Sequence, residues 1–135
     1  MSYTHAERDI LVAANSAIIN AAGSVFWAPG YQSFCLQAVA VVVTTTLDTA
    51  DAVLTITKRV TAGSNTSEVT IDTLTVPNTT AAGKVVYVHG LDTIISPGDE
   101  IEIAGNGGST AGVGHIVIYG YTVASSPTSD MILSA

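Results

Sequence analysis

Between residues 52 and 123, short runs of alternating apolar and polar residues recur, each closed by a turn signal. The clearest is Ser96-Pro97-Gly98-Asp99 followed by Glu100-Ile101-Glu102-Ile103. Proline fixes φ near about −65° and glycine accepts positive φ, so Pro97-Gly98 sets a tight turn. The next residues alternate strictly, Ile101 and Ile103 to one side and Glu100 and Glu102 to the other. That is a strand with one dry and one wet face. A chain that repeats a period of two buries its apolar residues on sheets, not helices. The expected fold is all-β, an antiparallel β-sandwich of jelly-roll type with about seven to nine strands.

The other strands follow from the same period. The longest covers 34–46, with Phe34, Leu36, Ala38, Ala40 and Val42 on one face and Cys35, Gln37, Val39, Val41 and Val43 on the other. Both faces are largely apolar, so this strand is central or lies at an interface. Residues 47–51 read as a turn. Leu54, Ile56 and Val60 then point inward, opposite Val53, Thr55, Thr57 and Arg59, and residues 61–66 form a hairpin tip. In 68–76 the phase changes between Val69 and Leu74, which marks Thr73 as a bulge or as a crossing between sheets. Residues 84–89, 93–95 and 99–103 are further strands. Residues 105–114, with five glycines, read as a loop, and 115–123 is the last strand, Ile116 and Ile118 opposing Val117, Tyr119 and Tyr121.

Two segments escape the pattern. Residues 4–22 fit two readings. Thr4 and Glu7 have capping-box spacing for a short helix ending at Gly23, while 10–14 and 17–20 also read as strands. Residues 1–9 read as an N-terminal arm. Residues 124–135 form a polar C-terminal tail with one apolar knot, Met131-Ile132-Leu133. The whole chain of 135 residues fits a single domain.

Composition narrows the function. Net charge is −7 with only four basic residues, too few to neutralise a run of phosphates, so no direct nucleic-acid binding is expected. Charged residues are 11% of the chain, about half the usual share. With eighteen threonines, this suits β surfaces covered by neighbours. The start lacks a basic segment leading into a long apolar one, and the apolar run 38–43 is too short to span a bilayer. A protein made in the cytoplasm, without a membrane, is expected. The lone Cys35 lies in an apolar run and reads as a small buried hydrophobe.

No residue pattern carries a reaction. Asp48 and Asp51 offer oxygens to Ca²⁺, but their spacing is not that of a calcium loop, and turn aspartates explain them. Glu100 and Glu102 share a strand face and could form a carboxylate pair of the type glycosidases use, but a solvated strand face explains them and Asp99. His5, His89 and His115 have no metal-ligand spacing, and Gly105-Asn106-Gly107-Gly108 lacks the lysine of a phosphate loop. The expectation is no enzyme, no cofactor and no metal. Tyr119 and Tyr121 share a strand face that suits either a packed contact or a carbohydrate platform.

A resemblance adds a partner. Leu54-Thr55-Ile56-Thr57-Lys58-Arg59, Thr61-Ala62-Gly63, Thr73-Leu74-Thr75-Val76-Pro77, Thr80-Ala81-Ala82-Gly83-Lys84-Val85-Val86-Tyr87 and Pro97-Gly98-Asp99-Glu100 together resemble small head proteins of tailed bacteriophages, the capsid decoration or cement proteins. The similar stretch is 53–103. The Pro-Gly-Asp turn also resembles trimeric jelly rolls of the C1q and tumour-necrosis-factor type. The resemblance implies a virion protein on the capsid exterior that binds the assembled major capsid protein, as a homo-oligomer with the trimer favoured. It implies no active site. Candidate assembly contacts are Tyr3, Trp27, Tyr119, Tyr121, Met131, Ile132 and Leu133. A carbohydrate-binding or host-adhesion module on a virion is the alternative.

Overall fold

The computed structural model describes residues 8–16, 19–63 and 67–123. Its eight strands are β1 (Arg8–Ser16), β2 (Ala22–Trp27), β3 (Ser33–Thr45), β4 (Ala52–Arg59), β5 (Glu68–Val76), β6 (Val85–Ile95), β7 (Glu100–Asn106) and β8 (Val113–Val123). They form two four-stranded sheets, ordered β1-β8-β3-β6 and β2-β7-β4-β5, with every pair antiparallel. This order is that of an eight-stranded jelly roll, and the expected fold class holds.

The core lies between the sheets. Phe34, Leu36, Val39, Val41 and Val43 come from β3, Leu54 and Ile56 from β4, Ile101 and Ile103 from β7, and Ile116 and Ile118 from β8. The turn before β7 forms as its residues dictate. The Asp99 N–H donates to the Ser96 carbonyl at 2.9 Å and Gly98 sits at φ 92°, the geometry of a type II turn. β4 and β5 are joined through the expected hairpin, closed by the Val60 N–H on the Ser67 carbonyl at 3.0 Å.

Several boundaries differ from the sequence reading. Residues 8–16 are extended and pair with β8, so the helical reading of that stretch does not hold, and Arg8 and Asp9 of the expected arm are strand residues. Asn20 lies in a turn and the second strand starts at Ala22, not in 17–20. Ala17, Ile18 and the rest of the arm and tail lie outside the described residues. Residues 84–89 and 93–95 are parts of one strand, β6. Gly105 and Asn106 belong to β7 and Val113 and Gly114 to β8, which shortens the glycine loop to 107–112. The phase change in β5 is a bulge at Ile71, between the pairs Ile56↔Asp72 and Thr57↔Thr70, rather than at Thr73. Val60 lies just past the end of β4 and is 44% exposed, not inward.

The largest correction is in β3. Leu36 pairs with Gly120 and Ala38 with Tyr119, which leaves Gln37 as an extra residue. One added residue exchanges the two faces of a strand. Phe34 and Leu36 face the core, but beyond Gln37 the core takes Val39, Val41 and Val43. Ala38, Ala40 and Val42 therefore share the outer face with Cys35.

Ile56 is fully buried and central to this core. Ile56→Ala is expected to cost about 2–5 kcal/mol, read as a shift of the urea midpoint with an unchanged m-value.

Candidate functional site

The outer face of the β1-β8-β3-β6 sheet is the unusual surface of the molecule. Its register sets rows across three strands. Cys35 is flanked by Tyr121 and Ile94, Ala38 by Tyr119 and His89, and Ala40 by Val117 and Tyr87. The middle strand thus contributes small residues and its neighbours large ones. Because adjacent strands lie about 4.8 Å apart, β8 and β6 form walls about 10 Å apart over a floor of Cys35, Ala38 and Ala40. Cys35 and Ala40 are buried at this floor. Its deepest part is a dent of about 390 Å³ lined by Gln37, Ala38, His89, Gly90, Tyr119 and Gly120.

Bulges create the dent. Gln37 in β3 and residues 90–92 in β6 are unpaired at the level of Tyr119 and Gly120, and Leu11 in β1 is unpaired one step on, between Tyr119 and Ile118. Gly90 and Asp92 take the positive φ values of 71° and 42° that the β6 bulge requires. The Gln37 side-chain amide spans it, donating to Asp92 Oδ1 at 2.8 Å and to Cys35 Sγ at 3.0 Å. Below, Gly120 faces Phe34, and a Cβ there would overlap the Phe34 ring and the Cys35 carbonyl oxygen.

Over β8, β3 and β6 this face is largely apolar and carries few charges. Val85, Tyr87 and Ile94 are 53%, 58% and 43% exposed, and the Tyr87 and His89 rings lie 5.6 Å apart. Among the described side chains of β3, β6 and β8, Asp92 is the one acidic group, and none is Lys or Arg. Apolar groups this large on an outer sheet face mark contact surfaces.

The opposite face carries the charge. Arg59, only 6% exposed, lies 3.4 Å from Glu100, 3.7 Å from Glu68 and 4.0 Å from Glu102, with Phe26 stacked 5.0 Å away. Those partners come from β7, β5 and β2, so one guanidinium on β4 ties all four strands of its sheet. Glu102 also accepts from the Ser24 hydroxyl at 2.7 Å, and Glu100 accepts from the Gly63 N–H at 2.8 Å. The acidic strand face, expected to be simply solvated, is an ion-pair cluster. Asp99 lies 3.8 Å from Lys58 and accepts from the Ser96 N–H.

The turn aspartates are staples. Asp48 Oδ1 accepts from the Thr110 hydroxyl at 2.8 Å, the Ala111 and Thr110 N–H groups at 2.8 and 3.2 Å, and the Ser109 hydroxyl at 3.4 Å. Asp51 accepts from the Asn78 N–H at 2.7 Å. Among the described residues no three His, Cys, Asp or Glu side chains form a metal-binding group.

The sequence-derived assembly contacts separate. Tyr119 and Tyr121 both lie on the dry face, along one wall of the groove. Trp27 does not join them. It packs against the core edge, its ring 5.2 Å from Phe34 in an edge-on contact. Tyr3, Met131, Ile132 and Leu133 lie outside the described residues. Sequence reasoning misses Tyr87, Val85 and Ile94 because it divides β6 into two pieces. It misses the groove floor because the Gln37 bulge leaves no mark in composition.

Comparison with known proteins gives little. No family model matches the chain, and no curated protein matches it. Among solved structures, the core of Drosophila NLP, described for pentamer formation and histone binding, is similar over 86% of this chain and all of that one. The identity is 16% and the TM-score 0.46.

Two outcomes are expected. Arg59→Met leaves three carboxylates facing one another and is expected to cost about 2 kcal/mol, between an exposed and a fully buried pair. Glu100→Gln added to it should restore part of that loss, so a double-mutant cycle in urea should give a clear coupling. The second concerns pH. The Thr110 hydroxyl, opposed by partial desolvation and helped by the Ala111 and Thr110 N–H groups and the Ser109 hydroxyl, holds Asp48 below the usual carboxylate value. A lowered value stabilises the fold above the unfolded pKa of about 3.9, and that gain is lost as pH falls through the folded value. Asp48→Asn should therefore lose stability at neutral pH and show a shallower decline than wild type below about pH 4.

Proposed function

We propose that this chain is a non-enzymatic structural protein of a tailed-phage virion, a homo-oligomer that binds and stabilises the assembled capsid shell. The observation that carries the reading is the division of the sandwich into two unlike faces. One is dry and almost uncharged over β8, β3 and β6, as subunit contacts are. The other gathers Glu68, Glu100 and Glu102 around Arg59, a net −2 that suits a basic partner surface. The resemblance of residues 53–103 to phage decoration proteins supports the identity of that partner, the major capsid protein. The acidic side chains of the described turns and strands are engaged within the fold, which supports a structural role over a catalytic one.

A carbohydrate-binding or host-adhesion module on a virion is the second reading. The aromatic walls of the groove, Tyr119 and His89 beside Gln37, favour it.

Sedimentation with shells assembled from the major capsid protein tests the first reading. The protein should co-pellet with shells and raise their melting temperature. Glu68→Lys should weaken this binding, and salt near about 0.5 M should weaken it for wild type. Protein that stays in the supernatant with every shell form, and instead scores on a glycan array, would transfer the assignment to the second reading.

A further inference from the structure

We infer that the groove along β3 is a socket for a second copy of this chain, which joins through the same face about a two-fold axis. The inference rests on the reading of this face as a contact surface and names its occupant. Three observations carry it.

The first is shape. The face holds a groove and a ridge side by side. The groove floor is Cys35, Ala38 and Ala40, and the ridge on the next strand is Tyr119 and Tyr121. Both point to the same side of the sheet. A copy turned over by a two-fold rotation lowers its tyrosine ridge into this groove and receives this ridge in its own. That is an isologous contact, in which residue 119 of one copy meets residue 38 of the other, twice. A ring of three cannot pair them so, because ridge and groove then need to face different neighbours.

The second is charge. Two copies meeting through the acidic face would oppose clusters of net −2. Two meeting through this face oppose no Lys or Arg and one carboxylate, Asp92, among the described side chains of β3, β6 and β8, beside the imidazoles of His89 and His115. The Gln37 amide already binds that carboxylate.

The third is area. The strands β3, β6 and β8, of 13, 11 and 11 residues, at about 3.4 Å per residue and about 4.8 Å apart, cover roughly 570 Å². A pair buries roughly 1,150 Å², above the about 1,000 Å² that a specific interface needs. The apolar side chains at Tyr87, Val85 and Ile94, more than 40% exposed, lie within that footprint.

Light scattering on the full chain, with variants at the two opposed positions, tests this. Wild type should be a dimer. Ala38→Lys fills the groove with charge, and Tyr119→Glu puts charge on the ridge. Each should weaken self-association by at least about 100-fold, since each dimer then buries two unpaired charges. Both positions face outward, so the circular dichroism spectrum should stay near wild type, while the urea midpoint should lose its dependence on protein concentration. Mixing the two variants should restore a dimer. The introduced lysine of one copy then meets the introduced glutamate of the other, and the second contact keeps the native Ala38 and Tyr119. A wild-type monomer or trimer overturns the inference, as do single variants that stay dimeric or a mixture that stays monomeric. Shell co-sedimentation of the same samples keeps the two readings apart. A monomer that binds shells removes the pair alone, and a dimer that ignores shells removes the capsid reading alone.

Discussion

A strand has a side-chain period of two, so an inserted residue decides which side everything beyond it faces. In the β1-β8-β3-β6 sheet three strands carry such insertions at adjacent levels, Leu11 in β1, Gln37 in β3 and residues 90–92 in β6, while β8 runs through without one. The core on one side and the grooved apolar face on the other both depend on this row. It lets β3 give Phe34 and Leu36, then Val39, Val41 and Val43, to the same interior. It also turns Ala38 and Ala40 outward between larger neighbours and so makes the groove. Gln37, bound to Asp92 and Cys35, links the β3 and β6 insertions.

The other sheet is organised by charge. Arg59 is nearly buried on the outer surface of β4 and collects carboxylates from β5 and β7 and the Phe26 ring from β2. A buried cation is tolerated only when paired and hydrogen-bonded, and here the pairing also fixes the hairpin tip, because Glu100 holds the Gly63 N–H. Asp48 does the same for the 107–112 loop. The low charge of the chain is thus not spread evenly. The described acidic groups work as internal ties, and most of them lie away from the outer face of β8, β3 and β6. Those unlike faces are the observation on which the proposed assembly role rests.

Much of this is legible in the chain. The alternation after Pro97-Gly98 defines β7 and its two faces, and Ile116 and Ile118 do lie opposite Tyr119 and Tyr121. Both apolar faces of 34–46 point to a central strand, and β3 is flanked by β8 and β6. The contact surface is half legible. Tyr119 and Tyr121 stand out because β8 keeps its phase. Val85, Tyr87 and Ile94 do not join into one strand on paper, because Gly90 and Asp92 look like a break. Trp27 stands out for its size, but its ring finds a partner in Phe34.

Local pattern by itself determined the fold class, the turns and the approximate strands, because period and turn chemistry act within a few residues. It also determined that charge would be scarce. Tertiary structure alone decided the order β1-β8-β3-β6 and β2-β7-β4-β5, the position of each bulge, and the gathering of Glu68, Glu100 and Glu102 around Arg59. The reason is physical. A bulge is defined only against the partner strand that leaves a residue unpaired. An ion pair between strands far apart in the chain exists only once the sheet has brought them side by side.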